Sequence, residues 1–289
     1  MQDAMSSEYV ATIGFFDGVH CGHRYLIDCL RKMAQEQGMK SAVVTFPSHP
    51  RQVLGEASPA LLTTYDERKE LLYETGIDDI FWFDFSAIQS LTAAEFMRIL
   101  SEQYQVRVLL MGYDHRFGSD RLSGIEAYRH AAEGLDICIQ PIPQSPQGAV
   151  SSSAIRQALL SGEIEKANEM LGYTYSLNGP IVRGNGIGRK IGVPTANIQV
   201  PQDKLSPRSG VYAVEAEWGT TRHSAIANIG TNPTIGNHST TIEVHIPGFE
   251  GSLYGQTLTI RLFRYLRPEK KFATLEDLRR QIEQDIQSL

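Results

Sequence analysis

Basic charge, cysteine and long apolar runs are all scarce in this sequence of 289 residues. Lys and Arg number 27 against 33 Asp and Glu, a formal net charge of −6. The deficit sits in one half: residues 1–160 hold 13 basic and 20 acidic side chains, residues 161–289 hold 14 and 13. Neither half has the basic excess that grips a nucleic-acid backbone. Nucleic acid is therefore not an expected partner, and any phosphate must be held at a local site. No apolar run approaches the ~20 residues that span a bilayer, and no leader-like segment opens the chain, so no membrane contact is expected. The three cysteines, Cys21, Cys29 and Cys138, are odd in number and show no zinc spacing. That fits a reducing cytoplasm and argues against structural zinc.

What is present is ordinary globular composition, 42% hydrophobic and 21% charged, in a chain long enough for two domains. The first half alternates short apolar runs with amphipathic stretches. Tyr9–Gly14, Ala42–Phe46, Ile80–Phe83, Val106–Met111 and Leu135–Ile139 read as buried strands. Arg24–Gln37, closed by Gly38, reads as a helix. Two more helices open on the capping boxes Thr64-x-x-Glu67 and Thr92-x-x-Glu95. This grammar predicts an α/β, Rossmann-like domain with a parallel sheet covered on both faces. A Pro/Ser/Gln-rich loop over 142–153 and a helical stretch over 155–171, broken at Ser161-Gly162, follow. Beyond Tyr173 the pattern becomes strands between Gly, Pro and Asn turns: Ser176–Val182, Val211–Glu217, His223–Ile229, Thr240–Ile246 and Thr257–Tyr265. These predict an antiparallel β-barrel. A final helix is capped by Thr274, with Leu275, Leu278, Ile282 and Ile286 as its stripe. The expected domains are 1–172 and 173–289.

Two clusters carry chemistry. The run Gly14-Phe15-Phe16-Asp17-Gly18-Val19-His20-Cys21-Gly22-His23 lies between the first strand and its helix, the junction where open parallel sheets bind ligands. Two histidines and the free N–H groups of a helix start can converge there on a phosphate anion. The second cluster runs from Gly179 to Asn197; it contains five glycines, four of them in Gly184–Gly192, and the stretch Pro194-Thr195-Ala196-Asn197. Its spacing is neither a Walker motif nor a dinucleotide turn. On an extended segment Thr195 and Asn197 point the same way, so both can offer oxygen to one hard cation. Glu243, between Ile242 and Val244, fits an outward-facing strand residue on alternation alone.

The first cluster resembles the HxGH nucleotidyltransferase superfamily, and Gly-Phe-Phe-Asp-Gly-Val before it narrows the likeness to the adenylyltransferase domain of prokaryotic FAD synthetases. Thr45-Phe46-Pro47-Ser48-His49-Pro50, Gly112-Tyr113-Asp114-His115-Arg116-Phe117-Gly118-Ser119-Asp120-Arg121 and Ser151-Ser152-Ser153-Ala154-Ile155-Arg156 resemble that family's further motifs, with Asp114 where Asn is frequent and Ser153 in a Thr place. The second half resembles riboflavin kinase through its Gly-rich loop, Pro194–Asn197, Gly210–Ala213, Asn228–Thr234, Thr241–His245, Leu253–Gly255 and Leu266–Phe272.

Together the two likenesses span nearly the whole chain in the order of the bifunctional bacterial riboflavin kinase/FAD synthetases. The resemblance implies that the second half makes FMN from riboflavin and ATP, and that the first half makes FAD and pyrophosphate from FMN and ATP. It implies His20, His23 and Glu243 as catalytic groups, Glu243 being the base. Nucleotide binding would fall to Gly14, Phe15, Asp17, Gly18, Gly22, Asp114, Ser152, Ser153, Arg156, Gly184, Gly188, Arg189, Pro194, Thr195 and Asn197. Phe46, Pro47 and Phe117 would hold the flavin, and Thr195 and Asn197 Mg²⁺. The implied partners are riboflavin, FMN and ATP, with self-association weak at most. Two alternatives stay open: a kinase whose first half has lost its activity, and a non-catalytic flavin carrier.

Overall fold

A computed structural model describes residues 7–112, 115–143, 150–184, 188, 192–234 and 237–289; of residues 231–239 it describes the backbone of 231–234 and 237–239 alone. By internal contacts the chain forms two compact units. One comprises residues 1–59 and 63–150, the other 60–62 and 151–289.

The first unit is built on a five-stranded sheet in the order β3-β2-β1-β4-β5, all pairs parallel. Its strands are β1 (Tyr9–Ile13), β2 (Lys40–Thr45), β3 (Asp79–Trp82), β4 (Val106–Met111) and β5 (Cys138–Pro141). Its helices are α1 (Cys21–Gln37), α2 (Pro50–Val53), α3 (Tyr65–Glu74), α4 (Phe85–Ile88), α5 (Ala93–Tyr104) and α6 (Ile125–Ala131). Successive side chains of a strand face opposite sides, and here both sides are buried. Val10, Val43, Val108 and Leu110 pack under Ile27, Leu30 and Ala34 of α1. Ala11, Ile13, Val44, Leu109 and Met111 pack with Phe96, Met97 and Leu100 of α5. The chain runs from β1 outward to β3 and returns to β4 on the other side of β1. The C-terminal ends of β1 and β4 therefore flank the crevice where the strand order reverses, the usual ligand site of such sheets.

Both predicted capping boxes are formed, each with its reciprocal pair of hydrogen bonds. The short helices α2 and α4 were not marked in the sequence, and two further details differ from its pattern. The strand expected over Leu135–Ile139 runs instead over Cys138–Pro141, because Gly134 takes a left-handed φ of 79° and Leu135 N–H closes a turn onto Ala132 C=O. Helix α6 was not anticipated: its N-cap, Gly124, supplies no side-chain cap, so the usual start signal is missing.

The second unit is a closed six-stranded barrel in the order β10-β7-β6-β11-β8-β9. The strands are β6 (Ser176–Val182), β7 (Ala196–Ile198), β8 (Gly210–Trp218), β9 (Thr221–Thr234), β10 (Asn237–His245) and β11 (Thr257–Arg267). Every pairing is antiparallel. The interior is filled by one alternating set: Leu177, Ile198, Tyr212, Val214, Ala227, Ile229, Ile242, Val244, Ile260 and Leu262, all buried. Helices α7 (Ser152–Ser161) and α8 (Ile164–Leu171) precede the barrel, and α9 (Leu275–Gln287) follows it. The α7–α8 pair belongs with the barrel, not with the sheet, although it lies ahead of the boundary expected near Gly172. Its apolar stripe, Ile155, Leu159, Ile164, Ala167 and Leu171, is buried. Asn168 also ties it to the barrel, donating to Leu262 C=O and accepting from Tyr175 N–H at 2.9 and 2.8 Å.

Candidate active sites

In the first unit the turn after β1 is held under strain. Phe16 and Val19 have φ of 57° and 34°, a region non-glycine residues avoid. The turn keeps this shape because Asp17, buried inside it, accepts from Thr63 N–H and Thr63 Oγ1–H, both at 3.1 Å. Gly18 N–H in turn donates to Thr63 Oγ1 at 3.0 Å. The turn delivers His20 to the N-cap of α1, where its Nδ1 accepts from His23 N–H at 3.4 Å. That bond leaves the proton of a neutral His20 ring on Nε2. The two imidazoles stack 3.7 Å apart at 16°. A Cβ on Gly22 would lie 3.2 Å from the His20 ring and 3.3 Å from Val150 C=O, so the intervening glycine leaves room for the stack. Burial, and then the neighbouring His20, hold His23 well below the ordinary histidine pKa. Its Nδ1 is buried without a hydrogen-bond partner.

His23 opens into a cavity of about 670 Å³ at the C-terminal ends of β1 and β4. Gly14, Phe15, Phe16, Phe46 and Phe117 line it with His23, as do Phe85, Phe96, Arg116 and Arg121. Of the residues singled out in the sequence, Asp17, Gly18, His20, Gly22 and Pro47 do not line it. Asp17 and Gly18 shape the turn, Gly22 spaces the histidines, and Pro47 is exposed. Arg116 and Arg121 stand in the Gly112–Arg121 motif but receive no role from the sequence, since a charged Gly-rich turn reads as solvent-facing. Ser152, Ser153 and Arg156 lie in the first turns of α7, in the second unit. There Ser151 caps the helix by accepting from Ala154 N–H, and Arg156 Nε donates to Ala60 C=O at 2.8 Å. Asp114 and Arg189 lie outside the described residues.

In the second unit the decisive geometry is a register. Glu243 on β10 is paired with Asn197 on β7 and with Asn228 on β9. Directly opposed residues of antiparallel strands share a face, so one carboxylate and two amides stand side by side across three strands. Their face is the outside of the barrel, because Ile242 and Val244 occupy the inside. Thr195, two residues before Asn197, joins them, and His245 Nδ1 meets Pro194 C=O at 2.9 Å, tying that segment to β10. A Cβ on Gly184 would run into the Asn197 amide, so a side chain there would displace Asn197 from its place.

This outer face is roofed. A cavity of about 270 Å³ is lined by Gly188, Thr195, Asn197, Asn228, Glu243 and His245, and closed by Arg267, Glu269, Lys270 and Phe272 with Leu278 and Ile282 of α9. The roof is fastened by a bidentate pair: Arg267 donates to Asp285 through Nε at 3.0 Å and Nη2 at 2.7 Å, and Asp285 is buried. Asn228 Nδ2 donates to Glu269 Oε1 at 3.1 Å. A smaller cavity of about 80 Å³, lined by Pro194, Thr195, Ala196, Phe249, Leu253 and Tyr254, adjoins at Thr195, which borders both. Thr195, Asn197, Asn228 and Glu243 offer a hydroxyl, two amides and a carboxylate there. That suits Mg²⁺ carried in largely on nucleotide phosphates and water. No cluster of three or more His, Cys, Asp or Glu that could hold a metal alone occurs among the described residues.

Comparison with known proteins matches both halves. The FAD synthetase family profile covers residues 2–154 and the riboflavin kinase profile residues 171–289. The bifunctional riboflavin kinase/FMN adenylyltransferase of Listeria monocytogenes is 34% identical over 96% of this chain and 90% of its own. That of Pseudomonas fluorescens is 35% identical over the same shares. The chain belongs to the bifunctional riboflavin kinase/FMN adenylyltransferase family. A solved structure titled a macrolide-efflux protein from Streptococcus pneumoniae shares the fold at a TM-score of 0.88 and 31% identity, covering 98% of this chain and 94% of that one. Among the described residues no helix is long and apolar enough to cross a membrane. In the family's frame the sheet unit corresponds to the FAD synthetase part and the barrel to the riboflavin kinase part.

Proposed function

We propose that the barrel phosphorylates riboflavin to FMN with ATP and that the sheet unit adenylylates FMN to FAD, releasing pyrophosphate. The observation that carries this reading is the alignment of Glu243 with Asn197 and Asn228 on a roofed outer face. It brings a proton acceptor next to oxygen donors for a phosphate-bound cation, the two things that phosphoryl transfer from Mg-ATP to an alcohol requires. In the kinase step the flavin lies in the larger cavity under α9 and the nucleoside in the smaller one. The phosphates cross at Thr195, where the two cavities meet. Mg²⁺, when bound, neutralises phosphate charge; Thr195 and Asn197 would hold it. Glu243 accepts the proton from the ribityl primary alcohol as that oxygen attacks the γ-phosphorus.

In the adenylylation step the Phe-lined cavity takes the isoalloxazine, with Phe46 and Phe117 against the ring. Arg116 and Arg121 have no ion pair among the described residues and are available to phosphate. His23, kept neutral by burial, and His20 beside it donate to the negative charge that develops at the α-phosphorus. The family resemblance assigns Ser152, Ser153 and Arg156 to the nucleotide. The setting is the cytoplasm, where riboflavin and ATP meet. Incubation of the protein with riboflavin and Mg-ATP, followed by chromatography of the flavins, tests the reading. FMN followed by FAD is expected; FMN alone would mean a kinase with an inactive first unit, and unchanged riboflavin a carrier.

A further inference from the structure

Helix α3 carries the sequence Tyr65-Asp66-Glu67-Arg68-Lys69-Glu70, five charges in a row that read as a solvent face. Arg68 nevertheless has no exposed surface at all. Its Nη2 donates to two successive carbonyls, Phe46 C=O at 2.7 Å and Pro47 C=O at 2.9 Å. The guanidinium lies 4.1 Å from the centre of the Phe15 ring, and 5.8 Å from that of Trp82. Phe15 belongs to the turn after β1 and Phe46 to the end of β2, and both line the aromatic cavity.

The arrangement is costly. Among the described residues Arg68 has no salt bridge, and its Nε and Nη1 are buried without acceptors. Burial holds its pKa down to about 10, with the Asp17 carboxylate opposing the fall. A buried charge that forms no ion pair, with two orphaned donors, destabilises a fold that an apolar side chain of the same length would fill better. Functional sites commonly carry strained or poorly satisfied groups at a cost in stability.

We propose that Arg68 is a positioning residue for flavin in the adenylylation site, clamping the Phe15 ring and the Phe46–Pro47 backbone into the two walls that receive the isoalloxazine. The inference rests on the reading of this cavity as the FMN site. Arg68 acts on the flavin through these neighbours. Its planar guanidinium, over the face of Phe15, sets the place of that ring, while its two hydrogen bonds set where β2 ends. A lysine can donate to one carbonyl but has no flat face for the ring. A methionine fills the space and does neither.

The test compares the parent with Arg68→Met and Arg68→Lys, measuring KM for FMN, KM for ATP and kcat in FAD formation, the rate of riboflavin phosphorylation, and the thermal midpoint. FAD formation from FMN by the parent is measured first; its absence overturns the reading of the cavity and this proposal with it. For Arg68→Met we expect a KM for FMN raised at least tenfold and a KM for ATP within about threefold of the parent. Phosphorylation should be unchanged and the midpoint equal or higher. Arg68→Lys should fall between. An FMN KM unchanged in both variants overturns the role of Arg68 while leaving the site standing. A lowered midpoint with kcat and both KM values affected in step marks a purely structural residue and also overturns it. Should Arg68→Met not fold, Arg68→Lys decides by the same FMN KM.

Discussion

Replacing Glu243 by Gln is the sharpest probe of the kinase site. The side chain keeps its length and shape and loses the ability to take a proton. Because Glu243 faces outward from the barrel while Ile242 and Val244 fill the inside, the change touches no interior packing. Its backbone remains paired with Asn197 and Asn228. The stability cost should therefore stay within about 0.5 kcal/mol, the usual range for a surface substitution. The chemical cost should be far larger. Removal of a general base typically lowers rates by ~10²–10⁴-fold, which is about 3–5 kcal/mol of barrier at 1.36 kcal/mol per decade. The assay follows riboflavin, FMN and FAD by chromatography in Mg-ATP, once from riboflavin and once from supplied FMN. FMN formation should collapse to 1% or less, with KM for riboflavin within a few-fold of the parent, while FAD formation from FMN continues at the parental rate. A kinase rate within a few-fold of the parent would refute Glu243 as the base. A fall in both reactions would refute the assignment of the two chemistries to separate sets of residues.

His20→Ala with His23→Ala should do the reverse, cutting FAD formation below ~1% while FMN accumulates, since one well-placed donor to developing charge is worth about 3–4 kcal/mol; near-parental FAD formation would remove both from the mechanism. Thr195→Ala and Asn197→Ala should each raise the Mg²⁺ concentration needed for half-maximal kinase activity, and an unaltered Mg²⁺ dependence would place the cation elsewhere. Asp285→Ala leaves Arg267 without its bidentate partner, and breaking such a pair costs roughly 3–5 kcal/mol; we expect a lower thermal midpoint and a raised KM for riboflavin as α9 loosens, and an unchanged KM would show that the fastening is not part of the site. His23 is neutral in the folded state well below the pH at which it protonates when unfolded, so the unfolded chain binds the extra proton and stability falls as pH drops below about 6.5. His23→Gln should flatten that part of the unfolding profile between pH 7 and 5, and an unchanged slope would deny His23 its depressed pKa.

Much of this was readable because the sequence states it locally. The boxes Thr64–Glu67 and Thr92–Glu95 are self-contained hydrogen-bond circuits, and Ile242–Glu243–Val244 shows the alternation that puts Glu243 outside the barrel. That it should face outward and still be enclosed was not readable, because the roof comes from residues 24 to 42 positions further on and depends on the Arg267–Asp285 pair. Asn228 was visible as part of a motif but acquires its place only from the β9–β10 register, which is set by contacts between strands. Arg68 was hidden by its own neighbours: hydropathy assigns Asp-Glu-Arg-Lys-Glu to water, and nothing local distinguishes the one member turned inward. Helix α6 lacked a capping side chain, so its start carried no mark.

A closed barrel has no terminal strand from which a slip could begin. To move β10 by one residue against β7 and β9, every other seam around the ring would have to shift as well, or one would have to open. The same one-residue slip would turn Glu243 inward and bring an isoleucine or valine to the outer face. The relative placement of Glu243, Asn197 and Asn228 is therefore guarded by topology as well as by local packing. Damage to the barrel should show itself as a shrinking population of folded molecules, each with an intact site, and not as a gradual misalignment of the three side chains. Destabilising substitutions in the interior should accordingly lower the amount of active kinase while leaving the KM values of the surviving fraction where they were.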